Sequence, residues 1–188
     1  MFCADMTRLR ITLASGCAAL TMASVDAHGV AAAYRPDERD CLPPTSTQRS
    51  WLDTAQWSAF ADSIRVCAVR QARSSAPALL IVSVWAERYY ADKPSGTPTV
   101  AMPNPLLFSG TGAPLGVLPS NFPDDPPAEL VLRFARWQRG LPQQIALCLS
   151  SPAAGGDSWL APLRYDRSVR RYVPAPQASR QSGDCHGG

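Results

Sequence analysis

Residues Glu129–Leu149 read ELVLRFARWQRGLPQQIALCL. Leu130, Leu132 and Phe134 fall two apart, so an extended chain puts all three on one face. Ile145, Leu147 and Leu149 repeat the pattern after Arg139-Gly140-Leu141-Pro142, a run of turn-forming character. The stretch predicts an antiparallel hairpin of Glu129–Trp137 and Gln143–Leu149. Downstream, Trp159–Tyr165 and Tyr172–Pro174 predict a second hairpin around Asp166-Arg167-Ser168-Val169-Arg170-Arg171.

Upstream, Ile64–Arg70 alternates Ile64, Val66 and Ala68 against Arg65, Cys67 and Val69, which predicts a strand. Ala78–Tyr90, ALLIVSVWAERYY, begins apolar on both faces and reads as a central strand continuing to an edge. In that reading Trp85 is core, and Tyr89 and Tyr90 point to opposite faces. Thr97–Met102 is a candidate short strand. Pro103–Pro127 is rich in proline and glycine, yet it carries Leu106, Leu107, Phe108, Leu115, Val117, Leu118 and Phe122. A packed loop with short strands near Leu106–Phe108 and Leu115–Leu118 is expected, and long ordered loops often carry function. Trp51–Asp62 places Trp51, Leu52, Ala55, Ala59 and Phe60 near helical spacing, which predicts one short amphipathic helix.

One helix and six to eight short strands specify a mainly β fold. An antiparallel β-sandwich and an α+β sheet with one helix against it both fit. The 18 prolines among 188 residues, about twice the average share, argue against a long-helix bundle. The length suits one domain. Charged residues are 18% of the chain and the net charge is +3, too near neutral to suggest a nucleic-acid partner.

Met6–Ala27 has basic Arg8 and Arg10, then an uncharged apolar run, then Val25-Asp26-Ala27. This is the pattern of a cleaved secretory signal peptide, with a second possible cut after Ala33. The division expected is 1–27 signal peptide, 28–50 extended N-terminal arm, 51–176 a single β-rich domain, and 177–188 a polar tail. No transmembrane segment is expected, and the location is periplasmic or secreted. Export leaves Cys41, Cys67, Cys148 and Cys185, an even set that an oxidising compartment would pair. Cys67 and Cys148 lie in expected strands, and Cys41 and Cys185 in loose segments near the ends. The pairing expected is Cys67–Cys148 with Cys41–Cys185.

Catalytic chemistry is sparse. The two histidines, His28 and His186, lie at the expected cut and in the tail, so no imidazole stands in the body to serve a Ser-His-Asp or Cys-His centre. G-x-S-x-G, P-loop and H-E-x-x-H motifs are absent. The carboxylates could furnish a two-carboxylate glycosidase, but their spacing selects no pair. A cut after Ala27 would expose His28-Gly29, which resembles, over two residues, the start of copper-dependent polysaccharide monooxygenases and some periplasmic copper carriers. Those proteins add a second histidine from the folded body, where this chain offers only His186. The reading assigns no metal, no cofactor and no catalytic residue.

Binding remains. The function expected is an exported, non-catalytic binding protein of the inhibitor or immunity type, whose partner is an envelope enzyme or toxin. The alternatives are a carbohydrate or cell-wall binding module with a glycan ligand, and a small secreted enzyme. The contact residues expected are Phe108, Leu115 and Phe122 from the long loop. Trp137, Arg139, Trp159, Arg167 and Arg170 join them from the hairpins, since Trp, Tyr and Arg dominate interface energies. Arg136, Arg164 and Arg171 add positive charge to the same turns.

Overall fold

The computed structural model describes residues 33–36, 39–71, 79–125, 128–151, 155–176 and 184–185. The expected signal peptide, His28 and most of the polar tail with His186 lie outside these residues.

The expected mainly β sandwich is present. The long hairpin is strand β8 (Ala128–Gln138) with β9 (Leu141–Ser151), antiparallel, with Leu132 opposite Leu147 and Phe134 opposite Ile145. It is the centre of a seven-stranded sheet. Beside β8 lie β1 (Ala33–Tyr34) and β7 (Asp124–Asp125). Beside β9 lie β10 (Gly156–Trp159) and β11 (Leu163–Asp166), and β12 (Arg171–Pro174) pairs with β11. The second sheet runs in the order β2 (Cys41–Leu42), β3 (Ile64–Val69), β4 (Leu79–Val84), β5 (Leu106–Ser109), β6 (Pro114–Val117), all antiparallel. The described part of the expected N-terminal arm thus supplies one strand to each sheet.

Side-chain alternation sorts the layers. Leu130, Leu132, Ile145, Leu147 and Leu163 of the large sheet meet Cys67, Val69, Leu79, Ile81 and Leu107 of the small one in a single buried core. The opposite face of the small sheet, with Val66, Leu80, Val82 and Phe108, is covered by Leu52, Trp57 and Phe60. Those three come from a helical layer that departs from expectation. In place of the single helix expected over Trp51–Asp62 stand α2 (Thr54–Trp57) and a 3-10 turn (Ser58–Phe60), and a further short helix, α1 (Ser46–Arg49), forms before them in the segment expected as an extended arm. The cause is local. Thr45 and Gln48 form a capping box that starts α1, and the Asp53 carboxylate accepts the Ala55 N–H at 3.0 Å, starting α2 afresh. Ala55 and Ala59, expected on the apolar face, are exposed.

The expected strand through Tyr90 ends at Val84. Trp85 stays buried as expected, and α3 (Ala86–Tyr90) begins there. Ala86, Glu87 and Arg88 are strong helix formers, and they take over where the sheet ladder stops. Tyr89 packs on Phe60 at 5.0 Å instead of taking a strand face. No strand forms over Thr97–Met102, where the Val100 N–H instead donates to the Tyr90 hydroxyl at 2.9 Å.

The disulfides join Cys41 to Cys67 and Cys148 to Cys185, which corrects the pairing expected from sequence. Cys41 is the cross-strand partner of Cys67 in the β2–β3 register. Cys67 belongs to the core between the sheets, whereas Cys148 clusters with Val131 and Cys185. Since Leu147 and Leu149 point inward, Cys148 faces away from Cys67 across the thickness of the large sheet. Its reachable partner is therefore the tail cysteine lying on the outer face.

Candidate binding surface

Two turns of the large sheet meet at one end. In the first, Gln138 pairs with Leu141, so Arg139-Gly140 is a two-residue hairpin loop. Arg139 has φ +50 and Gly140 φ +79, the positive pair that twist-matched hairpin turns require. In the second, Asp166 pairs with Arg171 around the loop 167–170. The Asp166 carboxylate accepts the Ser168 N–H at 2.8 Å and the Ser168 hydroxyl at 2.6 Å, closing an Asx turn. Those bonds, the hydroxyl first, hold the Asp166 carboxyl below the usual carboxylate range.

The turns converge because β11 lies beside β9, with Arg164 opposite Gln144. The Arg167 guanidinium then donates to the side-chain carbonyl of Gln138 and reaches that of Gln143 at 3.5 Å. Tyr172, buried in the core, donates its hydroxyl to the Pro142 carbonyl at 2.8 Å and locks the base of the same end. Burial, then Tyr165 beside it, keeps that phenol protonated well above its ordinary range.

The result is a concentration of one charge. Arg136, Arg139, Arg164, Arg167, Arg170 and Arg171 are all exposed here, and Asp166 is the one acid within 136–144 and 163–171. The side chains of Arg136, Arg139, Arg170 and Arg171 make no hydrogen bond or ion pair among the described residues. Three of these arginines, Arg136 (φ +57), Arg139 and Arg170 (φ +54), sit in the left-handed region that side chains with a Cβ seldom adopt. Half-buried Trp137, packed on Phe134 at 6.2 Å, borders the cluster.

The expected contact residues therefore divide. Trp137, Arg139, Arg167 and Arg170 come together at this end. Trp159 does not, because it pairs with Cys148, roughly 20 Å along β9 from the turn at 3.3 Å per residue. There it packs with Arg133, whose guanidinium lies 5.4 Å from its ring, in the cluster around Cys185. Phe108, Leu115 and Phe122 are buried and present little surface at the arginine end, though Phe108 lines a cleft beside it. Strands β5 and β6 turn Phe108 and Leu115 inward, and Phe122 is buried on the segment that precedes β7. Leu115 and Phe122 go to the core between the sheets and Phe108 to the layer beneath the helices.

Sequence reading also missed three participants. Gln138 and Gln143 hold Arg167 in place, a role visible only once the two turns are neighbours. Trp51 was assigned to a helix, but with Arg171 it lines a cleft of about 380 Å³ beside the arginine end. Among the described residues no group of three His, Cys, Asp or Glu side chains is placed to hold a metal ion, and no helix is long and apolar enough to cross a membrane. Comparison of the chain with protein-family models, with curated proteins and with solved structures returns no match.

Proposed function

We propose that this chain is an exported, non-catalytic binding protein of the inhibitor or immunity type, which engages an acidic face of an enzyme or toxin in the cell envelope through its arginine-bearing turns. The observation that carries the reading is the convergence of six exposed arginines on two adjoining turns and the strand ends that flank them, with one acid among them that is already occupied by Ser168. Arginine forks recognise carboxylates in pairs of parallel hydrogen bonds, and a one-signed patch steers an oppositely charged partner into register. Two disulfides are compatible with an oxidising compartment. A protein ligand is favoured over a glycan because every described Trp and Tyr is buried or half-buried, whereas a sugar platform needs open aromatic faces.

The test is affinity capture from envelope extract with the tagged, oxidised protein, at low and at high salt. One stoichiometric protein partner is expected, held less well as salt rises. Arg139→Asn combined with Arg170→Asn removes two charges where asparagine tolerates the backbone, so the fold is kept. That variant should retain the partner at least about tenfold less well, equal to about 1.4 kcal/mol. Absence of any partner, or a partner indifferent to this double substitution, overturns the proposal.

A further inference from the structure

The cleft beside the arginine end is built by two glycines. At Gly112, φ +88, an added Cβ would stand 2.5 Å from the Trp51 ring. Only a residue without a side chain lets that indole lie down on the β5–β6 turn, where it meets Phe108 at 5.0 Å between ring centres. At Gly116 an added Cβ would stand 3.3 Å from the Tyr172 carbonyl oxygen. Its absence lets β6 close against β12, and this brings Arg171 to the rim of the cleft. Trp51 and the half-exposed Val117 are the walls, and buried Phe108 is at the floor.

The lining is chemically simple. Arg171 supplies its one charged side chain, and the other lining groups are apolar or glycine. The Arg171 side chain has no hydrogen bond or ion pair among the described residues. A volume of about 380 Å³ suits one large side chain. Small-molecule sites orient their ligand with several convergent polar groups, which this cleft does not offer. An anchor side chain of a protein needs only a dry pocket and a polar rim. The polar rim here is Arg171, the first residue after the 167–170 turn.

We infer that this cleft seats a large apolar side chain from a segment of an acidic protein partner, with a flanking carboxylate received by Arg171. The inference rests on the binding reading above and names the anchor that reading lacks. The arginines set approach and register, and the cleft supplies the buried contact that slows release.

The test uses three short capped peptides on the oxidised full chain, followed by amide and indole NMR shifts: Asp-Trp-Asp, Lys-Trp-Lys and Asp-Gly-Asp. Dodecanoate is the fourth probe. Asp-Trp-Asp should bind with a dissociation constant of about 1 mM, as expected of a single anchor. It should shift the Trp51 indole and the amides of Leu106–Ser109, Val117 and Arg171. Both control peptides should bind at least about tenfold more weakly. Val117→Arg, at an exposed position, should weaken Asp-Trp-Asp at least about tenfold, and Arg171→Gln should do so about threefold or more. Partner capture by the Arg139→Asn, Arg170→Asn variant reads the patch, and peptide shifts at the Trp51 indole and Val117 read the cleft, so failure of the patch and failure of the cleft give different results. Equal binding of Asp-Gly-Asp, or indifference to Val117→Arg, overturns the inference. So does occupation of the cleft by dodecanoate without Asp-Trp-Asp, which would make the site one for a small amphiphile.

Discussion

Removing the Cys148–Cys185 bridge tests the observed layering of the large sheet. Both sulfurs are fully buried against Val131 on its outer face. The Arg133 guanidinium donates to the Cys185 carbonyl at 2.9 Å, and the Cys185 N–H donates to Asp157. The bridge closes 37 residues, which in the chain-entropy treatment corresponds to about 4 kcal/mol. For a chain of this size that is roughly 8–15 °C in Tm. Cys148→Ala with Cys185→Ala should therefore lower the unfolding free energy by about that amount in urea titrations followed by far-UV circular dichroism, with a steeper slope because the freed unfolded chain is more expanded. The single variant Cys185→Ala gives the sharper result. With the observed pairing it frees the Cys148 thiol, so alkylation in denaturant should label the peptide containing Cys148. Label on Cys41 instead, or a loss in the double variant below about 1 kcal/mol, well short of the usual disulfide contribution, would refute the argument that strand alternation confines Cys148 to the outer face.

Gly112→Ala should cost about 1–2 kcal/mol from its left-handed backbone alone, with displacement of Trp51 adding to that; an unmoved Trp51 indole resonance would show that the ring does not rest on the glycine. Tyr34, pushed up to about 12 by burial and then by Asp40, and Tyr172, also raised, hold their protons where unfolded tyrosines ionise near 10. The unfolded chain then loses protons first, so stability is intact below pH 10 and falls as pH rises from 10 toward 12. Urea midpoints at pH 9, 10 and 11 measure this, and a flat profile contradicts it. Arg170→Gly relieves a residue at φ +54 and should raise stability by about 0.5–1 kcal/mol, the left-handed cost less glycine's own entropy, while weakening partner capture. A fall in stability would mean that Arg170 stands there for the fold and not for contact.

The hairpin from Ala128 to Ser151 was legible because its alternation is long and its turn carries glycine at the right place. The same alternation held information about the disulfides. If Leu147 and Leu149 face inward, Cys148 cannot, and a bridge from it across the core is excluded. What the residues did not reveal was which face of Ile64–Val69 turns to the large sheet, since both faces of that strand are buried, one under the helical layer. Helical spacing over Trp51–Asp62 misled because Asp53 caps a new turn in the middle of it. Ala78–Tyr90 misled because an apolar strand ran without a break into Ala-Glu-Arg. In Pro103–Pro127, apolar groups among prolines looked like a contact loop. They belong to strands β5 and β6 and to Phe122 in the core, so the count of large side chains reported packing.

The arginines were visible as turn residues, but their joint effect depended on β11 settling beside β9, a pairing that no local pattern specifies. That pairing changes how the net charge is understood. Across 136–144 and 163–171, six arginines and one aspartate make +5, which exceeds the whole chain's +3 and leaves −2 for everything else. A nearly neutral protein is thus electrically lopsided. An acidic partner of the proposed kind would meet the densest positive charge at this end, and such a field orients it before contact. At physiological salt, screening sets in over about 8 Å, so this orientation acts in the last stage of approach. The arginine turns and the cleft at Arg171 occupy the same end, so in the proposed mode of binding the charge that orients a partner also brings it to that apolar recess.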